Sequence, residues 1–208
     1  MSKIVVDTFL TVDGVLQAPG APDEDREGGF THGGWQAPLF DEAAGEFVGE
    51  GFARIEGLLL GRKTYEIFAA YWPRIADDHP DAAAGQALNA LPKYVASRTL
   101  TGVEWQNSTL LGDDVTAAVA KLREQQGGEI HVMGSGDLVQ TLIRHDLVDE
   151  YRLMIFPVVL GTGKKLFAEG AVPTALELVE SRTTPGGVVI CVYRRAGEVT
   201  YGSFGPAE

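Results

Sequence analysis

Two glycines on either side of a serine form the most chemically suggestive arrangement in this sequence. Gly134, Ser135 and Gly136 follow a short apolar run, 130–133, and precede apolar residues at helical spacing, a pattern typical of strand, tight turn and helix. The glycines let the backbone approach a ligand closely, and the helix directs its unpaired N–H groups at the same place. The stretch is a candidate anion site, although a turn that only needs glycine geometry explains it equally well.

Basic and hydroxyl side chains follow two other predicted strands. Arg62, Lys63 and Thr64 come after the strand predicted at 55–60 and open a predicted helix. Cations at a helix start oppose the helix dipole, so a bound anion explains their placement better than chance does. Ser97 and Arg98 follow the strand predicted at 93–96 in the same manner. The three stretches together predict one phosphate-rich ligand at the carboxyl edge of an α/β sheet.

Several familiar nucleotide and hydrolase motifs do not match. Val139 stands where the dinucleotide fingerprint has its third glycine, and the direct glycine neighbours of Ser135 differ from a nucleophile elbow. Gly163 and Lys164 resemble part of a Walker loop, but Lys165 stands where Ser or Thr is needed. No metal is predicted, because the histidines and the cysteine show no ligand spacing. These residues are His32, His79, His131, His145 and Cys191.

An early polar segment and the helix after it supply further candidates. Residues 17–34 are rich in glycine, proline and acids, too polar to pack and too long for a simple connector. We interpret this loop either as a mobile lid or as a surface insertion without a functional role. Asp13 and Gly14 form a turn signal before it. The helix predicted at 39–53 carries Asp41 in its first turn, where an acid either faces a cleft or complements the helix dipole.

Length, charge and hydrophobicity limit the class of protein. The chain has 208 residues, a formal net charge of -12 and 45% hydrophobic residues, which fits one domain, 1–208, with a substantial core. The negative charge argues against broad contact with nucleic acid or an anionic membrane. No apolar run approaches the ~20 residues of a membrane span, and the N-terminus has no signal-peptide pattern. We therefore expect a cytoplasmic protein.

The order of predicted elements favours an α/β fold. Strands are predicted at 3–10, 55–60, 93–96, 103–105, 130–133 and 148–155, with helical patterns between most of them. Two further runs, 176–182 and 188–194, are joined by a Pro-Gly-Gly turn. They predict a closing antiparallel hairpin.

Five short motifs in this order resemble the dihydrofolate reductase-like superfamily. The branch is the one similar to the C-terminal reductase domain of the bifunctional riboflavin biosynthesis deaminase-reductase, and the resemblance covers residues 3–195. The motifs are Thr11-Val12-Asp13-Gly14, Gly61-Arg62-Lys63-Thr64-Tyr65-Glu66, Ala96-Ser97-Arg98-Thr99, Val132-Met133-Gly134-Ser135-Gly136-Asp137-Leu138 and Pro157-Val158-Val159-Leu160-Gly161-Thr162-Gly163. The resemblance implies a three-layer α/β fold. Its twisted sheet of about eight strands is mainly parallel, with helices on both faces and an antiparallel C-terminal hairpin.

The resemblance also implies an NADPH-dependent reductase similar to dihydrofolate reductase and 5-amino-6-(5-phosphoribosylamino)uracil reductase. The 2′-phosphate of NADPH is expected at Arg62 and Ser97, with Arg98, and the pyrophosphate at Lys63 and Thr64. The diphosphate and nicotinamide are expected to lie over residues 134–138. These residues are Gly134, Ser135, Gly136, Asp137 and Leu138. Arginine suits a phosphate dianion because its fork donates two parallel hydrogen bonds, which predicts a preference for NADPH over NADH.

The proton donor and the substrate contacts are expected around the early helix. The resemblance assigns the proton donor to Asp41, and Glu42 or Glu46 could substitute. Substrate contacts are expected from three residues nearby. They are Asp13, Gly14 and Trp35. The apolar character of Trp35, Leu39 and Phe40 favours a small, uncharged heteroaromatic or carbonyl substrate.

Two functions of different classes remain open at this point. The first is the NADPH-dependent reductase. The second is a non-catalytic nucleotide-binding or interaction protein on the same fold. The resemblance further implies a homo-oligomer, most simply a homodimer, with the apolar closing hairpin as a candidate face.

Overall fold

The computed structural model describes residues 1–125 and 127–204 as a sheet flanked by helices. The strands of this part of the chain are β1 (Lys3–Thr11), β2 (Ile55–Gly61), β3 (Lys93–Ala96), β4 (Ser108–Leu110), β5 (Glu129–Met133), β6 (Glu150–Phe156), β7 (Ala175–Thr183) and β8 (Val189–Gly197). The α-helices are α1 (Glu42–Phe52), α2 (Arg62–Tyr71), α3 (Ala82–Ala90), α4 (Val115–Glu124) and α5 (Gly136–Arg144). Short 3-10 turns lie at Glu27–Gly29, Ala37–Leu39 and Trp72–Arg74.

All eight strands belong to one mainly parallel sheet, in the order β4-β3-β2-β5-β1-β6-β8-β7. Neighbouring strands from β4 to β6 run parallel, whereas β8 is antiparallel to both β6 and β7. Parallel neighbours need long crossover connections, which the α-helices largely supply. The predicted antiparallel C-terminal hairpin is confirmed.

Helices cover both faces of this sheet. On one face, α4 and α5 pack against a core that includes Val6 and Val132. On the other, α1 packs against Met154 and Phe156, and α2 and α3 pack against a separate core around Leu58. The predicted three-layer α/β class is therefore confirmed. No helix in the described ranges has the length and apolar composition that a membrane crossing needs.

The carboxyl ends of β2, β3 and β5 lie side by side. Gly61 at the end of β2 is paired with Ala96 at the end of β3, and both α2 and α5 begin at this edge. β1 pairs Asp7 with Met133, the last residue of β5, and then continues beside β6 to Thr11. A crevice outside strand ends of this kind is the usual place for a ligand in an open α/β sheet.

The strand predicted at 103–105 is wrong, because the next strand after β3 is β4. Trp105 is buried instead, and its Nε1 donates to Asn89 Oδ1 at 2.6 Å. Its backbone N–H donates to the Tyr65 hydroxyl at 3.0 Å. A three-residue run of β-forming residues does not distinguish a short strand from a buried loop anchor.

Candidate functional site

A cavity of about 1550 Å³ opens at the carboxyl edge of the sheet. Its walls come from β1, α1, the starts of α2 and α5, α3 and the loop 17–34. Every residue that the sequence predicted to bind the cofactor lines this cavity. They are Arg62, Lys63, Thr64, Ser97, Arg98, Gly134, Ser135, Gly136, Asp137 and Leu138. The structure thus brings together three stretches that lie far apart in the chain.

Hydroxyl groups join the turn after β2 to the turn after β5. Ser135 Oγ accepts a hydrogen bond from the Gly61 N–H at 2.9 Å, and the Ser135 N–H donates to Thr64 Oγ1 at 3.1 Å. Gly134 and Ser135 have φ values of 56° and 55°, and a Cβ on Gly134 would lie 3.3 Å from Thr64 Oγ1. Glycine is needed there because both conformation and space disfavour a side chain. Ser135 therefore positions the turn with its hydroxyl.

The N-termini of α2 and α5 have no side-chain cap. Gly61 is the N-cap of α2 and Ser135 that of α5, and neither side chain accepts a hydrogen bond from the helix that follows. The first N–H groups of a helix need partners, and they carry the positive end of the helix dipole. Two such helix ends on one cavity suit an anionic ligand such as a diphosphate.

Arg62 forms an exposed pair on α2. Its Nη1 lies 3.0 and 3.2 Å from the two carboxylate oxygens of Glu66, one turn further along. Both side chains are nearly half exposed, at 46% and 45%. An exposed pair of this kind contributes little free energy, and only one nitrogen of the guanidinium takes part in it. Arg62 can therefore turn to a phosphate.

The acidic loop 17–34 packs against the cavity, so the expectation that it is too polar to pack is wrong. Phe30 is buried with Val15, and Gln17 Nε2 donates to the carbonyls of Asp25 and Glu27 at 3.2 and 3.0 Å. The carboxylates of Asp25 and Glu27 both contact Lys63, at 2.7 and 2.8 Å, and both contact Lys164 as well. We call Asp25, Glu27, Lys63 and Lys164 the loop clamp.

All four groups of the loop clamp are charged at neutral pH. Burial acts to raise the pKa of Asp25, but hydrogen bonds with Lys63 and Lys164 and one from the Glu27 N–H lower it to about 2. Hydrogen bonds from Lys164 and Lys63 lower the pKa of Glu27 to about 2. The two acids raise the pKa of both lysines against the opposing effect of burial. A ligand phosphate near Lys63 therefore competes with two carboxylates.

Asp41 caps α1 and does not line the cavity, which argues against its assignment as proton donor. Its Oδ1 accepts from the Ala44 N–H at 2.9 Å and its Oδ2 from the Gly186 N–H at 2.7 Å. Hydrogen bonds from Ala44, Thr184 and Gly186 hold the pKa of Asp41 below its ordinary value. Glu42 and Glu46 are also outside the cavity lining.

Asp13 and Gly14 shape a turn and lie outside the cavity lining, so the predicted substrate contacts do not fit. Asp13 accepts from the Thr11 hydroxyl at 2.6 Å and from the N–H groups of Leu160 and Gly161 at 3.2 and 2.8 Å. Chiefly the Thr11 bond lowers the pKa of Asp13 to about 2. Gly14, with φ of 81°, provides the left-handed turn that follows β1.

Trp35, the third predicted substrate residue, belongs to the core instead. It is 8% exposed, its Nε1 donates to the Gln17 carbonyl at 2.9 Å, and its ring meets Phe156 edge to face. Trp35 does not line the cavity. A tryptophan near a predicted cleft does not reveal from sequence whether it faces the cleft or the core.

Five aromatic residues contribute to the cavity wall, and we call them the aromatic slot. They are Phe9, Phe40, Phe52, Phe68 and Trp72. Among the described residues, every lysine or arginine of the cavity wall lies elsewhere, at the strand ends, on α5 or in the loop clamp. These basic residues are Arg62, Lys63, Arg98, Arg144 and Lys164.

Asp7 is one of several acids in the cavity wall that the sequence did not predict as site residues. Asp7, in the middle of β1, lines the cavity with a side chain that is 13% exposed. Its Oδ2 lies 3.3 Å from His131 Nδ1 and 3.4 Å from Arg152 Nε. The apolar residues of β1 indicate a buried strand, and an ionisable residue inside such a run was the available signal.

The fold and the cavity agree with what comparison with known proteins finds. The family model described as the RibD C-terminal domain matches residues 2–190. The chain therefore belongs to the RibD C-terminal domain family. The uncharacterized protein YyaP of Bacillus subtilis (strain 168) is 31% identical over 199 residues, 94% of this chain and 96% of YyaP. YwjB, an uncharacterized protein of the same organism, is 28% identical over 140 residues, 64% of this chain and 74% of YwjB.

Three solved structures share the fold at low sequence identity. A putative riboflavin biosynthesis protein from Shewanella sp. PV-4 has a TM-score of 0.65 at 22% identity, covering 93% of this chain and 98% of its own. A pyrimidine reductase-like protein from Corynebacterium diphtheriae has a TM-score of 0.61 at 12% identity, covering 94% and 92%. A dihydrofolate reductase from Enterococcus faecalis, complexed with NADP(H) and RAB-propyl, has a TM-score of 0.58 at 16% identity, covering 93% and 96%.

Proposed function

We propose that this chain is an NADPH-dependent reductase that transfers a hydride to a small, unphosphorylated heteroaromatic or carbonyl compound. The observation that carries the proposal is the cavity itself, where ten residues expected from the resemblance meet two uncapped helix N-termini. Membership of a reductase-like family supports the reaction class. The NADP(H) complex of the structurally similar dihydrofolate reductase supports the cofactor.

The side chains of the cavity fit a dinucleotide that bears an extra phosphate. The free N–H groups at the starts of α2 and α5 suit the diphosphate. Arg62, Ser97 and Arg98 suit the 2′-phosphate, because a guanidinium donates paired hydrogen bonds to a dianion. The volume of about 1550 Å³ exceeds the roughly 300–1000 Å³ of ordinary single-ligand pockets, which leaves room for a second molecule.

The chain itself contributes binding, orientation and exclusion of water. A bound dihydronicotinamide supplies the hydride in reactions of this class. The bonds among Gly61, Thr64 and Ser135 hold the two cofactor turns at a fixed separation, and the rings of Phe9 and Phe40 remove water from the slot beside them. A planar or apolar substrate is expected in that slot.

The distribution of charge favours a substrate without a phosphate group. The uracil reductase that the sequence resembles acts on a phosphoribosyl compound, and a phosphate needs lysine or arginine partners. Of the five lysines and arginines in the described cavity wall, three are assigned to the cofactor and Lys164 belongs to the loop clamp, which leaves Arg144. A phosphorylated substrate would also meet the carboxylate of Asp7 in the same wall.

Cofactor binding tests this proposal through Arg62. NADPH is expected to quench tryptophan fluorescence saturably, since Trp72 lies in the cavity wall, and to bind more tightly than NADH. Arg62→Ala is expected to weaken NADPH binding by about 1 to 3 kcal/mol, roughly 5- to 150-fold, and to leave NADH nearly unaffected. Arg195→Ala is the matched control. It removes an exposed ion pair between Arg195, which lies on β8, and Asp146.

Turnover separates the reductase from a non-catalytic nucleotide-binding protein. Oxidation of NADPH is expected with at least one compound among pterins, unphosphorylated flavin precursors and aromatic aldehydes. Equal, weak binding of NADPH and NADH would refute the cofactor assignment. Tight NADPH binding without oxidation across that set would favour the non-catalytic alternative.

A further inference from the structure

Three ionisable groups form a line from the first residue of β5 to the cavity. Glu129 and His131 lie two residues apart on β5, so they share a face of the sheet, and Asp7 lies on the adjacent β1. Glu129 Oε2 lies 3.0 Å from His131 Nε2, and His131 Nδ1 lies 3.3 Å from Asp7 Oδ2. The imidazole is fully buried, whereas the carboxylates at the two ends are 14% and 13% exposed.

The Asp7 end of this line meets the cavity beside the cofactor turn. Asp7 is paired in register with Met133, and Gly134 follows directly. The contacts that its carboxylate makes within the described residues fall on Oδ2, from Arg152 Nε and His131 Nδ1. Oδ1 is therefore the oxygen left for a molecule in the cavity, whose wall includes Asp7.

The surroundings of Asp7 are built to hold it in place. Arg152 is 2% exposed, its Nη2 donates to the Phe47 carbonyl at 3.2 Å, and its guanidinium stacks on the Phe47 ring. Above the pair, α1 presents Gly51, where a Cβ would lie 3.2 Å from Arg152 Nη2 and 3.4 Å from Asp7 Oδ2. The charged groups around Asp7 and His131 are Arg152 and Glu150 on β6, Glu129 on β5, Arg54 before β2 and Glu50 on α1.

His131 is placed to carry a proton at neutral pH. Burial opposes its charge, but Asp7 and Glu129 outweigh burial and raise the pKa of His131 above its ordinary value. Nδ1 makes no hydrogen bond of good geometry within the described residues, but Asp7 Oδ2 lies 3.3 Å away, and catalytic hydrogen bonds of this length tighten when the substrate binds. Imidazolium with carboxylate, and imidazole with carboxylic acid, are two arrangements of the same single proton.

We propose that Asp7 is the catalytic residue that gives a proton to the substrate, that His131 supplies this proton to Asp7, and that Glu129 stabilises the charged form of His131. The proposal rests on the reductase function proposed above and replaces Asp41 in this role. Arg152 and His131 act through Asp7 and are positioning residues.

The proton and the electrons balance in this scheme. The hydride from the bound dihydronicotinamide adds to the carbon of a C=N or C=O group, whose π electrons move to nitrogen or oxygen. The O–H bond of the Asp7 carboxylic acid breaks as the new N–H or O–H bond forms. The pair is then carboxylate and neutral imidazole with its N–H on Nε2 beside Glu129, and one hydronium ion from solvent in the cavity restores the proton to the pair and leaves water.

Kinetics of Asp7→Asn test the proposal. With the compound of the set above that is reduced fastest, the variant is expected to lower kcat roughly 100-fold while the Kd of NADPH stays within about twofold. Asp149→Asn, which breaks another partly buried Asp–Arg pair outside the cavity, controls for lost stability and should keep kcat. Unchanged kcat in Asp7→Asn would overturn the proposal and leave the reductase function standing.

A second variant avoids exposing the buried Arg152 charge. Glu129→Gln retains the Asp7–Arg152 pair but removes one carboxylate that stabilises charged His131. As pH rises, the rate of Glu129→Gln should begin to decline at a lower pH than that of the wild type. The reason is that the Asp7–His131 pair then loses its proton at a lower pH. A pH profile identical to that of the wild type would contradict proton supply by His131.

A binding probe tests Asp7 without any turnover. 4-Nitrophenol is an aromatic ring with one ionisable oxygen, and its anion absorbs visible light. Binding to the wild type is expected to protonate the anion and abolish its absorbance, whereas Asp7→Asn should lose this proton uptake. Equal proton uptake in both proteins, or no uptake in the wild type, would overturn the proposal. Because this test needs no NADPH, its result does not depend on whether the proposed reductase function is correct.

Discussion

Lys93 shows how one buried cation completes a helix. Its side chain is fully buried, and Nζ donates to the carbonyls of Leu88 and Asn89 at 2.9 and 3.0 Å. These carbonyls belong to the last turn of α3, where no further helical N–H is available. Nζ also lies 4.2 Å from the ring centroid of Trp105. The lysine thus joins the end of α3 to the loop before β4.

Replacing Lys93 with methionine is expected to lower the free energy of unfolding by roughly 1–3 kcal/mol near neutral pH, because the buried Leu88 carbonyl loses its donor. The Asn89 carbonyl loses one donor but still accepts from Gln106 and Asn107. Burial lowers the pKa of Lys93 from 10.5 to about 8, so between these values the unfolded state binds more protons. The wild type should therefore gain stability over the variant as pH rises through that window. Urea unfolding at several pH values measures the difference, and a gap that narrows with pH would contradict this reasoning.

At the scale of elements, the turns after β2 and β5 depend on each other. Ser135→Ala removes the hydroxyl that accepts from the Gly61 N–H, and a loss of about 1–2 kcal/mol of unfolding free energy is expected. Ser135→Gly removes the same hydroxyl but suits the positive φ, so its cost should be smaller. Thermal unfolding of the two variants side by side gives the comparison. A larger loss for glycine would show that φ is not what constrains this position.

The meeting of the ten candidate cofactor residues in one cavity could be predicted from sequence because the information that marks them is local. Each of the turns that hold them joins a strand to the following segment, and glycine, serine and basic residues mark the turns within a few positions. Asp7 could not be found in this way, because its partners His131 and Arg152 come from strands more than a hundred residues away. Asp41 misled for the opposite reason, since an acid that caps a helix and one that faces a cleft occupy the same place in sequence.

The expected substrate contacts could not be predicted from sequence either, because they depend on how distant segments pack together. Trp35 and Phe40 both precede α1, yet Trp35 joins the core and Phe40 lines the cavity with its ring 40% exposed. The apolar pattern of the segment is the same in both cases. The contacts of the loop 17–34 distinguish the two rings. Trp35 donates to the Gln17 carbonyl, and the Gln17 side chain accepts from the Lys164 N–H.

At the scale of the whole molecule, the loop clamp holds the acidic loop against the cavity. The lowered pKa values of Asp25 and Glu27 mean that its stabilising effect is fully present above their ordinary values, 3.8 and 4.5. It is lost only as pH falls through about 2. The loop should therefore stay closed throughout the neutral range unless an anion competes for the lysines.

Glu27→Gln is expected to tighten NADPH binding several-fold, because Lys63 loses one of its two carboxylate partners and becomes available to the diphosphate. Fluorescence titration measures the effect. Asp23→Asn lies in the same loop, and within the described residues its ion pair is with Arg26. The variant removes an equal charge outside the cavity lining and should change the affinity little. Weaker binding by Glu27→Gln would mean that the closed loop assists the cofactor.

The homodimer implied by the family resemblance stays a prediction. The outermost strand on one side of the sheet is β7, nine residues long, and it exposes Leu178 and Val179. Light scattering of the purified protein would measure the number of subunits.

Two lysines from distant parts of the chain share the same two carboxylates, which ties loop closure to ligand binding. Lys63 begins α2, whereas Lys164 belongs to the segment that pairs with Val15 beyond β1. If an anion draws Lys63 away, the loop clamp loses two of its four ion pairs. If the clamp instead holds the loop in place, the affinity for the anion falls by the same factor. By thermodynamic linkage, the acidic loop is then expected to lower the affinity of the cavity for an anion. Salt should reduce this effect, since Glu27, the outer carboxylate of the loop clamp, is 59% exposed.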